Sequence, residues 1–298
     1  MKIVFKKENY ILFIVVFILF LSCCVGNKNT TYSKGNGVEL SGVSFLPNKI
    51  SSGETTKLMY VVQNNGDFDS DVELYLQMLD DKWTAKKDFK KIDNLEKKQQ
   101  DVPGGKEESF FELTAPELKE KNTHITYNAE IKMCYLYKTQ TIFKYNIIDS
   151  FDKQKEIEQG KYKKSLPFFQ NSASPLSVSP LSKQPLFITK NNNPITLVFE
   201  VKNNEDGLVS NINRCTQNPE AKDINNFEFE IETTDSDFRI KCDDEDKVRL
   251  VNGKITFYCT LDYNYKDVKD KNSVIIELTS KYAYFETQQA KISVSSLD

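Results

Sequence analysis

Leu58, Tyr60, Val62, Asn64, Asn65 and Asp67 return as Leu197, Phe199, Val201, Asn203, Asn204 and Asp206, at a constant offset of 139 residues. Tyr135-Leu136-Tyr137, with Lys144 and Ile147, returns as Tyr282-Ala283-Tyr284 with Lys291 and Val294, at an offset of 147. Both copies keep one motif order, an apolar segment ending in Asn-Asn and then a Tyr-x-Tyr segment before a last strand, with eight extra residues between them in the second copy. A repeat of this kind fixes the architecture before any single residue does: whatever unit the first half builds, the second half builds again.

The unit is a β-structure. Apolar residues alternate with polar ones at Val38–Leu40, Val43–Phe45, Leu58–Val62, Val72–Met78, Phe110–Leu113 and Ile125–Met133, the period of half-buried strands. Turn chemistry separates them at Leu46-Pro47-Asn48, Ser51-Ser52-Gly53, Asn64-Asn65-Gly66, Pro103-Gly104-Gly105 and Ala115-Pro116. The expected fold is therefore all-β, with two tandem immunoglobulin-like β-sandwiches at residues 38–149 and 174–298. Residues 150–173 read as a linker with a short helix near Asp152–Gln159, the boundary falling near Asn171, and residues 165–185, with four prolines, as extended chain. The Lys-rich stretch Asp80–Gln100 reads as a solvated hairpin or loop excursion.

Residues 1–26 read as a signal peptide or membrane-anchor helix, because Lys2, Lys6 and Lys7 precede an unbroken apolar run from Ile11 to Leu21 and then Ser22-Cys23-Cys24. As a helix that run reaches about 17–22 Å, short of a hydrocarbon core of roughly 30 Å. A cysteine after Phe-Leu-Ser resembles a bacterial-type lipobox, which makes Cys23, or Cys24, the candidate lipidation site; an uncleaved span is the alternative anchor. With the lysines on the cytoplasmic side, the rest faces outward, so the expected address is membrane-anchored and exported to the cell surface. Residues 27–37 lack apolar periodicity and read as a flexible tether holding one glycosylation sequon at Asn29.

Composition removes several function classes. Forty Lys+Arg against 43 Asp+Glu leave no basic excess for a phosphate backbone, so nucleic acid is not an expected partner. One histidine, His124, leaves a catalytic triad or zinc site nothing to be built from but that side chain, which reads as an ordinary surface residue. There is no Gly-x-Ser-x-Gly elbow and no Gly-rich phosphate loop. No cofactor and no enzymatic activity are expected. Asp67, Asp69 and Asp71 alternate after the Asn-Asn-Gly turn, and Asp243–Asp246 form an acidic loop; both are oxygen-rich as calcium requires, yet Val72 and Val248 stand where an EF-hand has glycine.

Four cysteines remain in the exported part, and outside the membrane an even count favours disulfides. Cys242 follows the strand Phe238–Ile240 and Cys259 the strand Ile255–Phe257, with the turn Val251-Asn252-Gly253 before the second, so a Cys242–Cys259 bridge is expected. Cys134 and Cys215 remain either as a bridge between the halves or as two free buried thiols.

The segment Val38–Tyr75 resembles the opening strands of CARDB-type and S-layer-associated immunoglobulin-like domains, in which a Pro turn and a Gly turn precede a strand ending in Asn-x-Gly. Pro103–Gly105, Thr114–Pro116, Cys134–Tyr137, Ser174–Ser179 and the final Tyr-Ala-Tyr are similar to uncharacterised surface proteins of small-genome archaea. Where related proteins often carry a second cysteine, this chain has Phe143-Lys144-Tyr145. The resemblance implies architecture and no reaction. The expected role is a membrane-anchored structural, adhesive or protein-interaction module facing another protein or a surface polymer. Alternatives are an accessory subunit of a secretion, pilus or envelope complex and, behind it, a solute-binding protein or hydrolase.

Overall fold

Two strands of unusual length organise the molecule. In a computed structural model that describes residues 36–78, 80, 82–243 and 248–297, β8 (His124–Ile148, 25 residues) and β18 (Ser273–Ser295, 23 residues) pair antiparallel without a register break, from Ser273 opposite Asn146 to Ser295 opposite His124. Strands usually run to five or six residues. These run on because no Gly or Pro interrupts either segment and because parity never slips: Tyr127, Ala129, Ile131, Met133, Tyr135 and Tyr137 are buried, as are Phe143, Tyr145 and Ile147 beyond them.

Before β8 the chain forms β1 (Val38–Leu46), β2 (Lys49–Ser51), β3 (Thr55–Asn64), β4 (Ser70–Met78), β5 (Thr84–Ala85), β6 (Phe89–Leu95) and β7 (Lys106–Thr114). After it come helix α1 (Ser150–Glu158), β9 (Phe168–Asn171), β10 (Leu176–Pro180), β11 (Leu186–Phe187), β12 (Ile195–Asn203), β13 (Leu208–Ser210) and β14 (Asn226–Thr233). The last elements are β15 (Phe238–Cys242), β16 (Val248–Arg249), β17 (Lys254–Tyr263), the single-turn helix α2 (Tyr265–Val268) and β18.

The strands form a sandwich of sheets. One ten-stranded sheet contains β8 and β18 at its centre, and two four-stranded sheets, β1-β3-β7-β5 and β10-β12-β17-β15, complete the layers. Trp83 bridges the layers in the first half, against Phe45 of β1 and Tyr127 of β8, at 6.4 and 5.5 Å between ring centroids. In the second half Phe143 of β8 meets Phe199 of β12 at 4.8 Å, and Phe229 of β14 meets Phe257 of β17 at 4.6 Å. One continuous hydrophobic core runs through both halves.

The duplication is visible in the register. Val62 lies opposite Leu40, and Val201, 139 residues later, lies opposite Val178. β2 pairs parallel with β18 at Ser293–Ser295, and β11 pairs parallel with β8 at Ile147 and Ile148. The halves are joined more intimately than by a linker, however. Tyr135–Tyr137 and the strand expected to follow it are one strand, and β8 and β18 each run from one half into the other, so the large sheet is common to both.

Two other local expectations are corrected. Asp80–Gln100 is not solvated throughout: β6 pairs with β4, and Trp83, Ile92 and Leu95 are buried, their apolar contribution diluted in sequence by the surrounding lysines. Residues 165–185 hold two short strands, β9 and β10, with β9 added to β8 at Thr141–Lys144. The expected short helix is α1, capped by the Asp149 carboxylate, which accepts the Asp152 amide at 2.8 Å, and it buries no residue. Among the described residues no helix is long and apolar enough to cross a membrane.

Candidate functional site: a tyrosine-floored cleft

The repeated Tyr-x-Tyr motifs meet. Tyr137 lies opposite Tyr282 and Tyr135 opposite Tyr284 at the middle of the β8–β18 ladder, all four side chains buried. Rings of Tyr135 and Tyr284 stand 5.5 Å apart, and Tyr135 and Tyr137 meet edge-on at 5.7 Å.

Each motif holds the Asn-Asn turn of its own half. Asn64 Nδ2 donates to the Phe68 and Leu95 carbonyls at 2.8 and 2.9 Å, and the Phe68 amide donates to the Tyr137 hydroxyl at 3.2 Å. In the second half Asn203 Nδ2 donates to the Gly207 carbonyl at 2.8 Å, and the Gly207 amide donates to the Tyr284 hydroxyl at 3.0 Å. The same bonds are thus made twice, at offsets of 139 for the turn and 147 for the tyrosine. Gly66 is required by closeness: a Cβ there would overlap the Tyr137 hydroxyl. Burial pushes the hydroxyl pKa of all four tyrosines up, so they remain neutral phenols, hydrogen-bonding groups without charge.

Beside this floor opens a cleft of about 670 Å³, walled by residues 36–40 on one side and 205–208 on the other, with β18 residues 284–288 beneath. Carboxylates dominate its rim: Glu39, Glu130, Glu205, Asp206 and Glu286 face one lysine, Lys132. Glu286 Oε2 accepts the Leu40 amide at 3.3 Å. Burial raises the Glu286 pKa above the ordinary carboxylate value, partly offset by that hydrogen bond and reinforced by Glu39 and Glu205. Lys132 is shifted down by burial, its Nζ 5.4 Å from the centre of the Phe285 ring. Tyr135, 1% exposed, also lines the cleft. Chemically this is a polar, negatively charged recess between β1 and β18, suited to hold a cationic or hydrogen-bonding group.

The outer face of the large sheet is covered locally where the second half carries its insertion. Cys215 bonds to Cys134 of β8 with Cα atoms 5.7 Å apart, and Ala283, Phe285 and Ile212 pack around the bridge. The second disulfide joins Cys242 to Cys259, which occupy directly opposed positions on β15 and β17. The three aspartates at the first turn serve different backbone donors: Asp67 caps the Ala173 amide at 2.5 Å, Asp69 the Lys97 amide at 2.7 Å and Asp71 the Asn94 amide at 2.9 Å. Among the described residues no three His, Cys, Asp or Glu side chains converge as a metal ion would require. His124 opens β8, exposed, with Nδ1 2.8 Å from Ser295 Oγ. Cys23, Cys24, Asn29 and most of the acidic loop Asp243–Asp246 lie outside the described residues.

Sequence reasoning found the Tyr-x-Tyr motifs as markers of a repeat, without seeing that the two copies pair with each other. Glu286, Glu39 and Lys132 carry no local signature and become neighbours only through that pairing.

No family model matches the chain, and no curated protein matches it. Among solved structures, a PapD-like domain of human CEP192 is 13% identical over 36% of this chain and 78% of that domain, with a TM-score of 0.22. A protein of unknown function from Porphyromonas gingivalis is 9% identical over 76% of this chain and 84% of that one, also with a TM-score of 0.22. Neither likeness reaches a level that bears on fold or function.

Proposed function

We propose that this chain is an exported, membrane-anchored protein of the cell surface with a structural, adhesive or protein-interaction role and no catalytic activity. Its layers act as two tandem immunoglobulin-like sandwiches that share a sheet and offer a binding surface to another protein or a surface polymer. The observation that carries the reading is the pair of disulfides, above all Cys134–Cys215, which closes 81 residues. Such bonds persist in oxidising compartments and are rare where thiols are kept reduced. The basic, apolar and small-residue order of residues 1–26 supplies export and anchorage, with Cys23 or Cys24 as the lipid-bearing residue.

Cell fractionation combined with protease treatment of intact cells tests the address. The protein is expected in membranes and cleavable from outside. Replacing Cys23 and Cys24 together by Ser releases it if lipid is the anchor; unchanged retention assigns anchorage to a span. A soluble, protease-protected protein overturns the reading. The cleft also favours a second reading, an accessory subunit of a secretion, pilus or envelope complex, since a recess suits one defined neighbour better than a polymer. A single stoichiometric cross-linked partner selects it.

A further inference from the structure

The first half of the sandwich has two flanks, and they carry opposite charge. On one, β1 of the four-stranded sheet lies beside β18, and the recess there is rimmed by Glu39, Glu130, Glu205, Asp206 and Glu286 against Lys132. The other flank lies three strand spacings away across β18-β8-β4-β6, about 14 Å, where β6 ends the large sheet. Its facing border is β7, since β5 pairs with β7 only at Leu113 and Thr114. Between β6 and β7 opens a groove of about 480 Å³ lined by four lysines, Lys86, Lys87, Lys90 and Lys91, by phenylalanines and by one carboxylate, Glu112. Two of its rings remain open to solvent, Phe89 at 42% and Phe110 at 39% exposure. Lys86, Lys90 and Lys91 meet Glu112, Glu107 and Asp93 of their own half at 3.6, 3.8 and 2.6 Å, and Lys87 meets no carboxylate among the described residues.

We propose that copies of this chain associate side by side at the cell surface, the lysine-lined groove of one seated on the acidic recess of the next. The proposal rests on the interaction reading above and names its partner, a second copy. Lysine on an edge strand discourages strand pairing, and Lys90, on the same face of β6 as buried Ile92, turns inward to Glu107 and Ser109. What the groove offers a partner is therefore side-chain contact, two open aromatic rings among ammonium groups. Such a groove fits a surface that is acidic with an apolar spot, and the opposite flank of the same chain is one: Leu208, 42% exposed, lines the recess among its carboxylates. Opposed charge steers and registers this contact, while like-charged flanks disfavour the other pairings. Because the two surfaces differ and lie on opposite flanks, the contact runs head-to-tail and repeats from copy to copy instead of closing as a two-fold dimer. Exposed charge pairs contribute little singly, and confinement to one membrane raises the effective concentration at which they act.

The test follows the mass of the full chain in detergent micelles by sedimentation. The parent chain is expected to associate with rising concentration into a series that runs past the dimer, and to dissociate when salt is raised to about 1 M, where the screening length is about 3 Å. Two charge-reversed variants, Lys87→Glu with Lys91→Glu and Glu39→Lys with Asp206→Lys, alter exposed side chains only and are expected to keep the parent's thermal midpoint. Each should weaken association about thirtyfold, or about 2 kcal/mol. Mixed in equal amounts, the two variants should associate again, because each supplies the charge that the other now lacks. A parent chain that stays monomeric, association that either variant leaves unchanged, or a mixture of folded variants that does not recover overturns the proposal. If cross-linking on cells then captures a different protein, the interaction reading stands and only the self-partner falls.

Discussion

Tyr137 lies directly opposite Tyr282, although the two hold different places in the repeated motif, the second tyrosine of one copy against the first of the other. An antiparallel pairing of two copies of one sequence does this, placing a pseudo-two-fold axis between the strands at Leu136 and Ala283. The two Asn-Asn turns are held by equivalent hydroxyls, those of Tyr137 and Tyr284.

Hydroxyls along these strands should be separable by mutation. Tyr282 is fully buried, its hydroxyl 2.8 Å from Thr139 Oγ1, whereas the Tyr145 hydroxyl is buried with no partner among the described residues. Tyr282→Phe should cost about 1–2 kcal/mol, and Tyr145→Phe should be neutral or stabilise by up to about 1 kcal/mol, because removing an unpaired buried group relieves its desolvation cost. Urea unfolding of both variants checks the order.

The disulfides should differ in weight. In the chain-entropy description, closing 81 residues contributes about 4.5 kcal/mol and closing 17 about 3 kcal/mol. Cys134→Ala with Cys215→Ala should therefore lower the denaturation midpoint more than Cys242→Ala with Cys259→Ala. Non-reducing peptide mapping of the parent chain should show both bridges, and alkylation of any of the four in the native protein would contradict the assignment.

Glu286 gives a pH signature. Its pKa is raised in the folded state, so its contribution favours folding most below the unfolded carboxylate value of about 4.3 and is lost as pH rises through the raised folded value. Glu286→Gln keeps an acceptor for the Leu40 amide and removes the charge. The variant should be more stable than the parent at pH near 7, with the difference shrinking on acidification to pH near 4. A difference that grows on acidification has the wrong sign for this cause.

Much of this architecture is legible in residue order. Alternation at Leu58, Tyr60 and Val62 marks a strand, and the offsets of 139 and 147 align residues that make the same hydrogen bonds, Asn64 with Asn203 and Tyr137 with Tyr284. Cys242 and Cys259 are legible as a pair because a turn separates two short strands. The sharing of a sheet is harder to read, since alternation reports which face a residue takes and not which neighbour lies beside it. The signal is the missing punctuation: from His124 to Ile148 there is no Gly or Pro at which a strand would be broken. The cleft is less legible still, because Glu39 and Glu286 stand 247 residues apart and only topology brings them together.

The central claim, an exported protein that offers a binding surface to a partner, is tested most directly by photo-cross-linking on intact cells. A photoreactive residue replaces the exposed Gln288 in the cleft or the exposed Gln154 of α1. The account predicts a discrete protein adduct from position 288, formed with the chain accessible to protease added outside, and none from position 154. No protein adduct at 288, with the chain protected from external protease, would contradict it.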